Sequence, residues 1–155
     1  MTWLFWVDVA ALSVSWVISA ALLFVVIGAG FTRPLNRRFA LFASSSTFWA
    51  VCSLLLRLSL GLEIGQPFFL AELASLAFAL SSVFLLSFTI KYIDRSSRWV
   101  DLGAILGVIL VAVLAVPLFR GRLIMDVYLE ANGTTTIAFN MLGRMLMIIP
   151  ALYQI

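Results

Sequence analysis

Long apolar segments are the feature that most constrains what this chain can fold into. A membrane-spanning helix needs about 20 mostly apolar residues, and four segments of the 155-residue chain reach that length, with a fifth near its end. The predicted helices are residues 4–31, 39–62, 67–93, 99–119 and 137–155. The sequence therefore predicts an all-α membrane protein, a single polytopic domain built as a bundle of about five transmembrane helices.

The composition excludes a soluble domain. Hydrophobic residues make up 64% of the chain and charged residues 11%, whereas a soluble domain holds about 25% charged residues. The mean hydropathy is +1.16. The net charge of +3 is small and dispersed, which argues against a nucleic-acid partner. The main predicted partner is the lipid bilayer.

The residues that usually carry chemistry are missing. The chain has no histidine, which removes the commonest metal ligand and the usual axial ligand of haem. Its one cysteine, Cys52, lies in an apolar segment. We find no phosphate-binding glycine loop, no nucleophile elbow and no carboxylate pair with a histidine. The sequence therefore predicts no enzyme activity, no catalytic or metal-binding residue and no cofactor.

The charges in the connections predict the orientation. Arg33, Arg37 and Arg38 follow the first helix, and Lys91 and further arginines follow the third, so these two connections share one basic side. The basic side of a membrane protein is usually cytoplasmic. We therefore expect the N-terminus to lie outside the cell and the fifth helix to run inwards.

Two connections on the opposite side carry turn signals. The segment "GLEIGQP" joins the second and third helices, with Gly65 suited to a sharp turn and Pro67 to a first helical turn. After the fourth helix, "DVYLE" and "TTTI" flank Asn132-Gly133. An Asn-Gly pair between β-prone runs is typical of a tight hairpin. We therefore expect a small outer β-hairpin between helices four and five.

Four charged residues lie in apolar segments close to the predicted outer side: Asp8, Arg57, Glu72 and Arg144. At about 1.5 Å per residue, Arg57 and Glu72 lie roughly 10–12 Å below the connection between their helices. An arginine–glutamate pair at that depth would offset part of the cost of burying both charges. We expect these residues to form a polar cluster, which either staples the bundle together or forms a functional site.

Small residues predict close contacts between helices. Gly103 and Gly107 form a GxxxG pattern in the fourth helix, and Ala71, Ser75 and Ala79 repeat at four-residue spacing in the third. Small side chains let two helices approach closely in a membrane. These positions are expected to pack helices within the chain.

The order of these features resembles a known family. The stretches are "NRRFALFASSSTFWAV", "FFLAELASLAFALSSVFLLSFTIKYIDR" and "VPLFRGRLIMDVYLEANG". Over about residues 35–140 they resemble the N-terminal seven-helix membrane region of some bacterial histidine kinases and related signalling proteins. Phe88 and Tyr92 match the aromatic residues that end the third helix in that family, and Pro117 matches its proline stretch before an outer hairpin.

The chain departs from the family at two points. The family often has a histidine after the proline stretch, where this chain has Phe119-Arg120. The family also continues through two more helices to a cytoplasmic output domain, while this sequence stops within its fifth helix. The resemblance implies a sensor in the bacterial cytoplasmic membrane, with the chain truncated before its output domain or with that domain lost.

Three functions follow from these observations. The first is the sensor or input domain of a signalling protein, with its own C-terminal output domain as partner. The second is a small accessory or scaffold subunit of a respiratory or photosynthetic membrane complex, which would contact other membrane subunits. The third is a small transporter or channel, which ranks last because neither an inverted repeat nor a discontinuous helix pair is evident.

Overall fold

The protein consists of a row of helices followed by a hairpin. The computed structural model describes residues 3–93, 98–120, 123–130, 133–141, 143–145 and 147–148. The helices are α1 (Trp3–Gly28), α2 (Pro34–Leu62), α3 (Pro67–Tyr92) and α4 (Arg98–Phe119), and the antiparallel strands are β1 (Ile124–Leu129) and β2 (Thr135–Phe139). The four helices lie close to their predicted positions, and the hairpin is confirmed.

Three of the helices could cross a membrane. α1, α2 and α3 are each long and apolar enough to do so. In α4 the described apolar part, Asp101–Pro117, is shorter. The protein is therefore a multi-pass membrane protein by length and composition, with three candidate spans among the described residues where five were predicted.

The helices contact one another in chain order. The most extensive contact is between α2 and α3, and α1 and α4 flank this central pair. Small residues occupy the central contact, and Ala71, Ser75 and Ala79 are all buried, as their spacing predicted. The backbones of α2 and α3 can therefore approach closely.

Hydroxyl groups inside this helix pair bind the backbone of their own helix. Ser45 donates to the carbonyl of Leu41 at 3.0 Å, and Ser75 donates to that of Ala71 at 2.7 Å. A hydroxyl that bonds one turn back is satisfied without a partner from another helix. Serine can therefore line the helix contacts without leaving a polar group unpaired in an apolar environment.

The hydrophobic core joins the hairpin to the helices. Its buried residues are Leu56, Ala71, Leu76, Ala79, Val83, Val111, Leu123, Ile124 and Val127. They come from α2, α3, α4, the residue before β1, and β1 itself. Ile124 and Val127 are both buried in this core although they are three residues apart, because the strand register is irregular between Ile124 and Asp126. The hairpin is therefore packed onto the helical bundle as part of its core.

The connection between α2 and α3 is as tight as predicted. Gly65 has φ +87° and Pro67 begins α3. Glu63, at the C-cap of α2, also has a positive φ of 54°, and its N–H donates to the carbonyl of Ser59. The Ser59 hydroxyl donates a hydrogen bond to the carbonyl of Ile64. These bonds satisfy backbone groups that the end of a helix leaves open.

The predicted start of the fifth helix at Ile137 is wrong. Residues 137–139 belong to β2, and the helical residues described beyond it are 141, 143–145 and 147–148. The Asn140 side chain accepts a hydrogen bond from the N–H of Gly143 at 2.9 Å, which is the bond that an N-capping asparagine makes. An apolar run such as "TTIAF" fits a strand as well as a helix. The predicted part from 149 to 155 lies outside the described residues.

Candidate functional site

Arg57 on α2 and Asp8 on α1 form an ion pair through Nη2 and Oδ2. The Arg57 side chain is 10% exposed and that of Asp8 is 38% exposed. Asp8 lies near the start of α1 and Arg57 near the end of α2, so two antiparallel helices bring the charges together. This contact joins two of the four residues predicted to form a polar cluster.

The same guanidinium also binds the hairpin. Arg57 Nη1 donates to the carbonyl oxygen of Gly133 at 3.0 Å and to the hydroxyl of Thr135 at 2.6 Å. Gly133 has φ +90°, and its N–H donates to the carbonyl of Glu130. The predicted turn partner, Asn132, lies outside the described residues. One buried arginine thus connects α1, α2 and the hairpin.

Glu72 does not take the place that was predicted for it. Among the described residues, the two ion pairs are Arg57 with Asp8 and Arg38 with Asp101. Glu72 is buried, at 7% exposure. On α3 it falls on the helical stripe of Leu76, Ala79 and Val83, at i+4, i+7 and i+11, and those three residues pack into the core with α4 and the hairpin. The predicted Arg57–Glu72 pair is therefore wrong, because Arg57 is engaged by α1 and β2.

Arg144 does not join the cluster either. It lies in the helical turn that Asn140 caps, and its N–H donates to the carbonyl of Asn140. Its side chain is exposed. Because the helix begins at 141 rather than 137, Arg144 falls in the first turn instead of two turns into the helix. The observed site is thus made of Asp8, Arg57 and the hairpin.

A cavity of about 300 Å³ adjoins Arg57. Its walls come from α1, α2, α3, β2 and Met147, and the residues are Leu12, Trp49, Ser53, Leu56, Arg57, Ala74, Ser75, Phe78, Thr135, Ile137, Phe139 and Met147. We call this space the hairpin cavity. Its polar lining is Arg57 and three hydroxyl residues, and the rest is apolar. Mixed walls of this kind suit a small ligand with one polar end.

A second cavity of about 350 Å³ lies next to the hairpin cavity and shares two of its residues. These are Trp49 and Phe78, whose ring centroids are 5.8 Å apart. Its other walls are residues of α1, α2 and α3, which include apolar side chains such as Ile18, Leu22 and Phe42 and the four serines Ser15, Ser19, Ser46 and Ser81. We call it the inner cavity. The two rings form the common wall between the two spaces.

Sequence reasoning missed a second arginine site at the opposite end of α2. Arg38 Nη2 binds Asp101 Oδ1 at 2.7 Å, and its Nη1 binds the hydroxyl of Ser87 at 3.0 Å. This arginine connects the start of α2 with the end of α3 and the start of α4. Asp101 lies in the first turn of α4, at the same end of the bundle as the start of α2. This shared position is the sequence signal that could have predicted the Arg38–Asp101 pair.

The glycine prediction is only partly supported. A Cβ added at Gly103 would meet nothing within 4 Å, so close helix packing there is wrong, whereas Gly107 is buried. The tight position is Gly143, where a Cβ would lie 2.5 Å from the carbonyl oxygen of Leu123 and 2.8 Å from Phe139 Cδ1. Gly143 lets the helix after β2 pack against the hairpin.

Within the part of the chain that the structure describes, no group of three metal-ligating side chains of the His, Cys, Asp and Glu types comes together. Comparison with known protein families, with curated proteins and with solved structures gives no match. The residues of the site offer hydrogen-bond donation from one arginine and several hydroxyls beside an apolar space.

Proposed function

We propose that this chain is a non-enzymatic membrane module that acts as the sensor or input domain of a signalling protein. The observation that carries the proposal is the position of Arg57 on α2, from which its side chain binds α1 and the hairpin at once. A ligand or a change in the bilayer that moves the hairpin must break or rearrange these contacts. The resemblance to the membrane region of bacterial histidine kinases supports the same role.

The hairpin is well placed to pass a movement onwards. β2 leads through Asn140 directly into the helical residues that follow. The N–H of Asn140 donates to the carbonyl of Leu123, the residue before β1, at 3.0 Å. Gly143 lies against the same carbonyl. A displacement of the hairpin would therefore displace the start of the next helix, which is the kind of two-state coupling that switching requires.

In this proposal the module sits in the bacterial cytoplasmic membrane with five spanning helices. α4 and the helix after β2 supply the fourth and fifth spans, the N-terminus and hairpin lie outside, and the output domain follows in the cytoplasm. The charges support this placement, because Arg33, Arg37, Arg38 and Lys91 gather at one end of α1, α2 and α3.

The coupling can be tested by distances between spin labels on the full chain in lipid nanodiscs. In a Cys52→Ala background, one label pair joins Leu62→Cys to Tyr128→Cys on the hairpin, and another joins Leu62→Cys to Ile148→Cys. All three labelled side chains are exposed. We expect Arg57→Ala to broaden or shift both distances by several ångströms, and Arg144→Ala to change neither. An altered hairpin distance with an unchanged Ile148 distance would refute the transmission.

One observation favours a second candidate, an accessory subunit of a larger membrane complex. Among its described residues α1 buries only Phe5 and exposes large side chains such as Trp16, Phe24 and Val25. This apolar face could contact another subunit as well as lipid. The intact mass of the protein, purified gently from its native membrane, separates the two candidates. A chain mass far above 17.1 kDa favours the sensor. A chain mass near 17.1 kDa, together with partner subunits in stoichiometric amounts, favours the accessory role.

A further inference from the structure

We infer that the hairpin cavity binds a neutral, elongated amphiphile whose head presents carbonyl oxygens and whose apolar body reaches past Trp49 and Phe78 into the inner cavity. The inference deepens the proposed function and rests on it for the signalling consequence. The cavity volume of about 300 Å³ lies at the lower end of the range for small-molecule sites, which is roughly 300–1,000 Å³.

The polar wall of the hairpin cavity is made of donors. Thr135 accepts a hydrogen bond from Arg57 Nη1, so the proton of its own hydroxyl can be donated to a ligand. Ser53 lines the same space from α2. No carboxylate, amide or other side-chain acceptor without a proton is among the described lining residues. A ligand head that supplies acceptors would therefore match this wall.

The charge balance favours a neutral head. Arg57 is the one ionisable residue among the described lining residues, and Asp8 already pairs with it. An anionic head would compete with Asp8 for the Arg57 guanidinium and weaken the ion pair that the two residues form. A carbonyl oxygen can accept from the Thr135 and Ser53 hydroxyls while the ion pair stays in place.

The apolar walls extend the space available to the ligand beyond its polar head. Leu12, Leu56, Ile137 and Phe139 surround the rest of the hairpin cavity. The aromatic pair of Trp49 and Phe78 separates it from the inner cavity. A flat ring or an alkyl chain that packs against this pair would continue along Ile18, Leu22 and Phe42, beside the serine hydroxyls of the inner cavity. Two molecular sources share this chemistry: an alkylated quinone, and the ester carbonyl of a neutral lipid.

The test uses the full chain in dodecyl maltoside micelles, because this detergent has no carbonyl group. Binding is counted as mass adducts by native mass spectrometry during titration. The probes are decylubiquinone, monoolein and the anion oleate. We expect saturable binding of one neutral probe per chain, and whichever of the two binds more tightly identifies the source. No saturable neutral adduct, or tighter binding of oleate than of both neutral probes, would overturn the inference.

Variants locate the binding site. Ser53→Ala removes one donor from the wall and leaves the hydrogen bonds of Arg57 untouched. The double variant Ser53→Ala with Thr135→Val removes two donors. We expect the double variant to raise the Kd of the neutral probe about tenfold or more, and Ser53→Ala alone to raise it several-fold. Thr47→Val is the matched control, since Thr47 donates to its own helix at Ala43 and is not part of this wall. Equal binding to wild type and double variant would place the ligand elsewhere and refute the site.

The site and the signalling role fail separately. Binding is read from mass adducts, and movement is read from the spin-label distance between Leu62→Cys and Tyr128→Cys. If saturable binding needs Ser53 and Thr135 but this distance does not change, the ligand site stands. Its role as the signalling input is then refuted. Absence of binding, with the distance still dependent on Arg57, would refute the ligand site and leave the coupling in place.

Discussion

Arg38 and Arg57 lie about 28 Å apart along α2, taking about 1.5 Å per residue, and each forms an ion pair with a different flanking helix. The hydrocarbon core of a bilayer is about 30 Å thick. In a chain that crosses the bilayer, this separation would place the two arginines near opposite edges of the apolar layer. Arg38 ties α2 to α3 and α4 at one edge, and Arg57 ties α2 to α1 and the hairpin at the other.

This spacing predicts that the two ends of α2 face opposite sides of the membrane, and the basic residues predict which side each end faces. In intact cells with Cys52 replaced by alanine, Tyr128→Cys on the exposed face of the hairpin should react with a membrane-impermeant maleimide. Asn36→Cys, beside the basic turn before α2, should react only after the membrane is permeabilised. The opposite pattern would invert the orientation that the basic residues predict, and labelling of both in intact cells would show that they lie on the same side.

Replacing Arg57 by alanine should destabilise the protein strongly. The change leaves Asp8, the Gly133 carbonyl and the Thr135 hydroxyl without their donor. Breaking a buried ion pair costs about 3–5 kcal/mol, and since Asp8 is 38% exposed we expect about 2–3 kcal/mol. This loss of stability is measured as the difference in the free energy of unfolding between wild type and variant in mixed micelles. Arg144→Ala, which removes an exposed arginine, should change that free energy by less than about 0.5 kcal/mol, and a similar loss in both variants would contradict the site described here.

Two glycines should respond in opposite ways to alanine. At Gly143 a Cβ would clash with the Leu123 carbonyl oxygen, which is backbone and cannot rotate away. We expect Gly143→Ala to lower the free energy of unfolding by about 1–3 kcal/mol. Gly103→Ala meets open space and should be neutral or stabilise α4 by up to about 1 kcal/mol through helix propensity. Thermal unfolding of both variants decides this, and a larger loss at Gly103 would favour the GxxxG contact after all.

Glycine at position 63 should stabilise the turn between α2 and α3. Glu63 has φ 54°, a backbone conformation that costs a residue with a Cβ about 1–2 kcal/mol and that glycine adopts readily. We expect Glu63→Gly to raise the free energy of unfolding by about 0.5–1 kcal/mol. Glu63→Ala is the control and should give no gain, because it keeps the Cβ. An equal gain in both would point to the charge of Glu63 instead of its backbone.

The sequence by itself determined the class of protein and the positions of its first four helices and of its hairpin turn. Runs of apolar residues long enough for a membrane predicted α1 to α4, since a backbone in lipid must form its hydrogen bonds internally. Pro67 and Gly65 predicted the turn between α2 and α3, and Gly133 predicted the hairpin. These signals are local, because backbone angles and side-chain chemistry within a few residues are enough to produce them.

Only the tertiary structure decided the partners of the charges. The depth of Arg57 and Glu72 along their helices was readable from the sequence, but depth leaves the rotation of each helix about its axis undetermined. Packing of Leu76, Ala79 and Val83 onto α4 and the hairpin turned Glu72 to that side, while Arg57 faced Asp8 and β2. The apolar residues Ile137 and Phe139 could likewise form helix or strand, and pairing with β1 selected the strand.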